Sequence, residues 1–431
     1  MRRRVLARVF LFDLASLTVG VAVASWIVFD TPLPTRVPPF RTSGGGLVPL
    51  IGFMFAGMVI GTVLSRWTIG PRAPRPSYGR ALFIATTTAM VTPATIVFTR
   101  TEYFSRPFIA ITVTVMFGLS LAHRAVLRSR PWSEMVLVVT SEKRLIDDLL
   151  ATPHARVVDI LDPASQEVPA RPEPGTTLAV DLRAVLSEEM AQFVASSNLA
   201  GYPVRSLSEV YEEHTGRMAI VHLAEGWELR TPVEQSASYL PVKAALDLTL
   251  TLLLAPIWVP LGALIWCLVK LDSPGPGIFS QTRVGHDGET FTMYKFRTMR
   301  ADAEREGPQM AAVDDERLTR VGRMLRKVRA DEIPQLINVL KREVSLVGPR
   351  PEQPEFVRQF SRAIPFYDYR HLVRPGITGW AQVNFGYADD EVDTVEKLMF
   401  DLYYVKNMSL WLDLNILGKS MWTVLSRFGA Q

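Results

Sequence analysis

Four apolar stretches, at 9–29, 48–65, 81–98 and 107–122, dominate the first third of the chain, and each is about long enough to cross a bilayer as a helix. Arginines stand before the first stretch (Arg2, Arg3, Arg4, Arg8), between the second and third (Arg66, Arg72, Arg75, Arg80) and after the fourth (Arg124, Arg128, Arg130). Cytoplasmic loops are the ones enriched in Lys and Arg, so both ends of this module are expected to face the cytoplasm. The first 133 residues hold fifteen arginines and three acids while the whole chain carries only +4, which leaves the remainder net acidic. A cleaved signal peptide is the rival reading of the first stretch; its length and the three stretches that follow disfavour it. Asp13 sits near a segment end and no other ionisable side chain lies mid-membrane, so the module reads as an anchor rather than a transporter. A hydrophobic share of 48% agrees with a membrane protein. The single cysteine, Cys267, excludes both a disulfide framework and a cysteine metal site.

From Glu134 to Leu223 the pattern becomes that of an α/β unit. Strands are expected at 135–140, 157–161 and 177–182, helices at 144–151 and 187–198, and alternation of this kind predicts a small parallel sheet. Ser141-Glu142-Lys143 follows the first strand where a glycine-rich turn would cradle a pyrophosphate, which argues against dinucleotide binding. Ser206 to Arg217 is expected as an exposed helix stopped by Gly216, with His214 a surface histidine.

Residues 243–270 are nearly uncharged and long enough to span, yet Pro256 and Pro260 interrupt them and Lys243 and Lys270 flank them. Proline inside a helix removes a hydrogen bond and kinks or breaks it. Lysine at both ends gives no charge bias for crossing. A re-entrant helix–break–helix with its break at Pro256, returning to the cytoplasmic side, satisfies both observations, with a fifth spanning helix as the alternative. Beyond a turn-rich loop at 272–277, Ile278–Val284 and Thr290–Phe296 predict a two-stranded hairpin. Lys295 and Arg297 on its second strand are cations of the type that hold phosphates, or else a solvated strand face. Residues 301–316 are charged and expected as a surface helix and loop whose mobility would suit a lid.

Ile333, Leu336, Ile337 and Leu340 recur at helical spacing, and Pro334 is tolerable only in a first turn, so a helix is expected to begin near Asp331. That start puts Asp331 and Glu332 at the positive end of a helix dipole. Arg320, Arg323, Arg326, Lys327 and Arg329 precede the pair, and Gly348-Pro349-Arg350-Pro351 follows the helix. Two carboxylates between two sets of cations suit a metal-bound diphosphate; a helix cap beside a solvated charge is the plainer reading. Gly376 and Gly379 bend the backbone close to some neighbour, and Trp380 is large enough for a base, a sugar or a core contact. The last segment, 410–428, sets Trp411, Leu414, Leu417, Met421, Trp422, Leu425 and Phe428 on one face with Lys419 and Arg427 nearby, which fits an interfacial helix or a core helix.

Four motifs carry a resemblance: 295–299 (Lys-Phe-Arg-Thr-Met), 331–340 (Asp-Glu-Ile-Pro-Gln-Leu-Ile-Asn-Val-Leu), 345–352 (Ser-Leu-Val-Gly-Pro-Arg-Pro-Glu) and 374–384 (Arg-Pro-Gly-Ile-Thr-Gly-Trp-Ala-Gln-Val-Asn). In this order they resemble the signatures of the bacterial polyprenyl-phosphate sugar-phosphate transferases, monotopic phosphoglycosyltransferases that begin exopolysaccharide and O-antigen repeat units. The likeness covers about 241–427. Arg329-Ala330 stands where Ser-Leu is usual, and Arg342-Glu343-Val344 where Gly-Asp-Met is usual. These readings together give a four-helix transmembrane anchor (1–130), a degenerate Rossmann-like α/β domain (131–230) similar to one that larger members of the family carry, and an α+β monotopic catalytic domain (240–431) whose re-entrant hairpin (243–270) the resemblance also implies, with Ala255-Pro256 where a Ser-Pro break is common.

The resemblance further implies Asp331 as a nucleophile forming an acyl-phosphate and Glu332 as a helper that binds Mg²⁺ or positions the acceptor, the two carboxylates being the metal ligands. Arg326 and Arg350 would hold phosphates, with Lys295, Arg297 and Arg374 as further candidates. The expected partners are a UDP-sugar, undecaprenyl phosphate and membrane lipids, with no nucleic acid and a homo-oligomer left open. The expected place is the bacterial inner membrane, with the catalytic part on its cytoplasmic face. All phosphate-handling candidates lie from Lys295 onward, so removing the α/β domain is expected to leave measurable activity. A non-catalytic scaffold of polysaccharide assembly is the alternative, disfavoured by the intact Asp331 and Glu332; redox chemistry on nucleotide sugars is disfavoured by the missing glycine-rich turn.

Overall fold

Long apolar segments satisfy their own backbone polar groups as helices, and the N-terminal segments do so as α1 (Arg2–Phe29), α2 (Val48–Thr68), α3 (Tyr78–Thr99) and α4 (Arg106–Ser129). The computed structural model describes residues 2–31, 48–68, 78–99, 105–129, 133–220, 239–300, 317–385 and 391–426. It divides into two units, Met1–Ser133 and Glu134–Gln431. The expected surface helix and loop at 301–316, and Arg427 and Phe428, lie outside the described residues.

In the first unit α1 runs against α4 and α2 against α3. The second contact uses Gly57 and Gly61, one turn apart: a Cβ on either would come within 3.0 Å of an α3 Cα, of Thr88 and Ile84 respectively. Small residues at this spacing let helix backbones approach in an apolar medium. Asp13 and Arg124 are both buried, Arg124 lying within α4 rather than in the loop after it. They form a two-pronged pair, Nη1 to Oδ1 and Nη2 to Oδ2, each 2.7 Å. The Ser120 hydroxyl adds a 2.6 Å bond to Asp13. This pairing is how a charge persists inside an apolar bundle.

The second unit begins with a parallel sheet in the order β2-β1-β3-β4, formed by β1 (Glu134–Val139), β2 (Ala155–Leu161), β3 (Thr177–Val180) and β4 (Val204–Ser206), with α5 (Lys143–Leu150) after β1 and α6 (Glu188–Leu199) after β3. Strand side chains alternate between faces, and β1 obeys this. Val136 and Val138 join Leu145, Leu149 and Tyr211 on one side, whereas Leu137 and Val139 join Leu178, Met190 and Phe193 on the other. Both faces are covered, which is why β1 reads as an unbroken apolar run.

The expectation of an exposed helix at 206–217 is corrected. In α7 (Leu207–Thr215) Leu207, Val210 and Tyr211 form an apolar stripe at helical spacing and are buried. His214 is not a surface residue: its side chain is 1% exposed and its Nε2 lies 3.1 Å from Glu134 Oε2. The covering element comes from the far end of the chain. Met399 enters the same core, the Met218 amide donates to the Met399 carbonyl at 2.9 Å, and Lys406–Glu212 (2.9 Å) and Arg217–Glu396 (2.8 Å) flank it.

The apolar 243–270 stretch forms α8 (Tyr239–Leu253) and α9 (Ala255–Asp272). The interruption falls at Leu254 rather than at Pro256, because proline fits the first turn of a helix, where its missing N–H has no partner to lose. The Trp258 indole donates across the break to the Thr251 carbonyl at 2.9 Å. Both arms return to the same body: α8 contacts β7 (Ser345–Val347), and in α9 Ile265 and Val269 pack on Phe296 and Leu325. Between them Leu253 and Ile257 stand 70% and 64% exposed. Among the described residues the helices long and apolar enough to cross a membrane are Ala7–Phe29, Val48–Ser65, Arg106–Ser129 and Ala255–Asp272.

The hairpin of β5 (Ile278–Val284) and β6 (Thr290–Phe296) is antiparallel with the expected bounds, Ile278 opposite Phe296 and Val284 opposite Thr290. Helix α10 (Arg320–Lys327), helix α11 (Gln335–Leu340), α12 (Pro354–Ala363), β8 (Gly376–Thr378), α13 (Trp380–Asn384), α14 (Glu391–Asn407) and α15 (Leu410–Ser426) complete the unit. Helix α15 buries Ile416 and leaves Met421 and Trp422 exposed.

Candidate active site

Asp331 and Glu332 lie on a single 3₁₀ turn, Ala330–Glu332, entered through Arg329 in the left-handed region at φ 53°. The α-helix expected from Asp331 starts four residues later, at Gln335, with Pro334 as its cap. Pro334 stands at a helix start, as its stereochemistry requires, but the apolar spacing also fits the 3₁₀ turn that leads in. The turn rests on β6 and α10, which brings the acidic pair to Lys295 and Arg326.

Both carboxylates are buried, and their surroundings differ. An Arg350 terminal nitrogen donates to Glu332 Oε1 at 2.8 Å, and Lys295 Nζ stands 3.7 Å from the same oxygen. Burial alone would raise the Glu332 carboxyl; Arg350, then Lys295 and Arg329, overcome it and hold the group at about 2. Asp331 is pushed above the ordinary carboxylate range, first by burial and then by the neighbouring Glu332 charge, with Lys295, Arg350 and Arg326 opposing. Among the described residues no hydrogen bond or ion pair engages the Asp331 carboxylate. Lys295 is lowered to about 8, by burial and then by Arg350. One carboxylate is thus locked as an anion by two cations, and the other is a more basic oxygen left for chemistry.

Arg350 reaches the pair because its loop is built on β7 and β8. The Gly348 amide donates to the Thr378 carbonyl at 2.9 Å and the Gly376 amide to the Pro349 carbonyl at 2.9 Å. The neighbour that Gly376 and Gly379 approach is therefore Gly348. A Cβ on Gly348 would lie 2.4 Å from the Arg374 carbonyl, and one on Gly376 would lie 2.0 Å from the Gly348 nitrogen.

The other candidates fall in different places. Arg326 is at the site, its Nε donating to Thr298 Oγ1 at 3.0 Å. Arg297 is buried and turned away: its terminal nitrogens hold the Ser273 carbonyl (2.6 Å), the Ser273 hydroxyl (2.7 Å) and the Pro274 carbonyl (3.0 Å), closing the loop after α9. The Arg374 side chain is exposed, and only its backbone meets the Gly348 turn. Trp380 makes a packing contact, its indole donating to the Gly216 carbonyl at 2.8 Å and its ring stacking on Tyr403. Pro256 lies in the apolar hairpin. Residues that spacing did not single out are Thr298 and a set around Arg350, of which Arg370 and Asp401 are buried and Arg283, Glu352 and Lys397 half-buried. Their contacts with Arg326, with the Arg350 loop and with one another join residues 20 to 69 apart in sequence, beyond any helical or strand period, so no local pattern marks them.

A buried carboxylate pair, Glu332 braced by Arg350 and Lys295, lies in a unit that also carries an exposed apolar helix–break–helix, and with the apolar helices before Ser133 these are the features of a membrane protein. The family model described as bacterial sugar transferase matches residues 238–427. A UDP-N-acetylgalactosamine-undecaprenyl-phosphate N-acetylgalactosaminephosphotransferase of Aeromonas hydrophila is 47% identical over 249 residues, 57% of this chain and 58% of that protein. A UDP-glucose:undecaprenyl-phosphate glucose-1-phosphate transferase of Escherichia coli K12 is 43% identical over 179 residues, 41% of this chain and 38% of that protein. One with the same description from Caulobacter vibrioides is 41% identical over 190 residues, 43% of this chain and 70% of that protein. The chain belongs to the bacterial sugar transferase family. The matched part spans less than two thirds of the length of each of the first two relatives.

Proposed function

We propose that this protein transfers a sugar-1-phosphate from a UDP-sugar to undecaprenyl phosphate, giving undecaprenyl-diphosphate-sugar and UMP, the first membrane step of exopolysaccharide or O-antigen synthesis. The observation that carries the reading is the unequal pair: Glu332 fixed by Arg350 and Lys295, and Asp331 beside it with no bonded cation among the described residues. An Asp331 oxygen attacks the sugar-bearing phosphorus of the donor. The new carboxyl–phosphorus bond forms as the bond to the UMP oxygen breaks, and UMP leaves with that electron pair. An oxygen of the lipid phosphate then attacks the same phosphorus and returns the carboxylate. Arg350, Arg326 and Lys295 offset the charge that otherwise keeps a carboxylate from a diphosphate.

Two adjacent carboxylates with no third acid, histidine or cysteine among the described residues fit Mg²⁺, which is commonly held by one or two carboxylates plus substrate phosphates. Asp331 and Glu332 would hold it, and it would supply charge neutralisation at the donor phosphates. Mixing the solubilised protein with undecaprenyl phosphate and a panel of UDP-sugars should release UMP with at least one of them. Silence across the panel, from protein that melts cooperatively, sinks the reading.

The charge on Lys295 gives a pH signature. Its proton leaves at about 8 in the folded protein instead of 10.5, so the phosphate-holding cation is present below that pH and lost above it. We expect kcat/KM to fall as the pH rises past about 8 and Lys295→Arg to push that limb upward, because a guanidinium stays charged. An unchanged alkaline limb in Lys295→Arg would assign it to another group. At the acid end, Glu332 titrates at about 2 against 4.5 unperturbed. Its contribution to stability is therefore present above 4.5 and lost as the pH falls toward 2.

The α/β layer is read as a degenerate Rossmann unit without a nucleotide, supported by Ser141-Glu142-Lys143 after β1. The hairpin is read as re-entrant, with the catalytic part on the cytoplasmic face of the inner membrane; its two arms resting on one body support this. Single cysteines at Val242 and Leu271, both exposed, in a Cys267→Ser background should label only from the cytoplasmic side. Periplasmic labelling at 271 means that the segment spans.

A further inference from the structure

Three consecutive carbonyls at Arg350 are gripped by donors from distant parts of the chain. Arg370 Nη2 donates to the Arg350 carbonyl at 2.8 Å, Arg283 Nη1 to that of Pro351 at 3.2 Å, and the Val284 amide to that of Glu352 at 2.9 Å. Arg370 is the deepest of these, with a side chain 3% exposed. Its Nη1 donates to the Tyr367 hydroxyl at 2.7 Å and its Nη2 also to Asp401 Oδ2 at 2.7 Å. Asp401 lies on α14 and is itself 1% exposed. One rigid planar group therefore ties a core helix, its own 3₁₀ turn Tyr367–Leu372 and the backbone of the residue whose side chain holds Glu332.

A buried ion pair is by itself weak evidence of anything but a fold. What adds direction here is the third contact, because Arg350 is the only one of the three partners whose side chain faces the acidic pair.

We propose that Arg370, braced by Asp401 and Tyr367, is a positioning residue that fixes Arg350 against Glu332 and thereby sets where the phosphates of the donor are received. This rests on the function proposed above. A group displaced by about 1 Å at a reacting centre can cost on the order of a hundredfold. Arg370→Lys preserves charge but replaces the fixed fork with a point charge on a flexible stem, which does not span hydroxyl, carboxylate and carbonyl together.

The test is a cycle of four proteins: wild type, Arg370→Lys, Arg350→Ala and the double variant. Each is read by transfer of radiolabelled sugar phosphate to undecaprenyl phosphate and by thermal melting. Arg370→Lys should lower kcat/KM about a hundredfold in the wild-type background and by less than about threefold once Arg350 is alanine, the non-additivity expected of residues acting through one another. If Arg370→Lys does not fold, Tyr367→Phe, which removes one brace and no charge, takes its place in the cycle with a smaller loss and the same non-additivity. Equal losses in both backgrounds, with a lowered melting temperature, make Arg370 a fold residue and overturn the inference while the function stands. A wild-type protein that transfers nothing from any UDP-sugar overturns the functional reading, and this inference with it.

Discussion

Asp331→Asn should abolish turnover, by on the order of 10⁴-fold or more, the scale on which loss of a covalent nucleophile is felt, while the protein keeps its fold. The amide has the same volume, and among the described residues the carboxylate has no bonded partner to lose, so little of the structure depends on its charge. What disappears is the nucleophile. With donor and Mg²⁺ but no lipid, the wild-type protein should release UMP in a burst of at most one equivalent and leave a phosphosugar on the peptide containing Asp331, detectable by mass. A chelator should suppress the burst. Glu332→Gln should be strongly impaired too, but for a different reason: Arg350 and Lys295 lose the anion that holds them 2.8 and 3.7 Å away. Absence of both burst and adduct with donor alone, alongside sequential kinetics with both substrates, means direct attack by the lipid phosphate. Asp331 would then be a metal ligand only.

Deleting 134–220 should cost the catalytic part its folded state, contrary to what the placement of the motifs suggests. None of the phosphate-handling residues lies in that segment, yet Met399 shares a core with Val210 and Tyr211, and Met218 packs with Leu398, Leu402 and Tyr367. The deletion strips these partners from α14, the helix that carries Asp401, and leaves Lys406 and Glu396 without Glu212 and Arg217. Exposed apolar surface of this kind drives aggregation, so the deleted protein should lack a cooperative melt in detergent and lose turnover. A deletion that melts cooperatively and turns over like the wild type would show that the shared core is dispensable.

Much of the candidate site is legible in the sequence. Charge, apolar spacing and motif mark Lys295, Arg326, Asp331, Glu332 and Arg350, and the structure brings Lys295 and Arg350 to Glu332 and carries Arg326 on α10, the helix against which the acidic turn rests. Arg297 belongs to the same short motif as Lys295 but faces the loop after α9. Residues two apart on an extended chain share a face only while the strand lasts, and β6 ends at Phe296.

The sequence by itself determined the elements whose cause is local: four apolar segments, the parallel α/β alternation, the two-stranded hairpin and its bounds, and a proline-limited helix start near the acidic pair. Periodicity and proline stereochemistry act over a few residues and can be read from them. Only the tertiary structure decided that α7 is buried against α14, that His214 faces Glu134, that Asp13 meets Arg124, that the hairpin breaks at Leu254 and that Arg370 grips the backbone of Arg350. Each of these depends on residues far apart in the chain or on competing local geometries of similar energy, and packing chooses among them by burying apolar faces and pairing the charges that burial would otherwise leave alone.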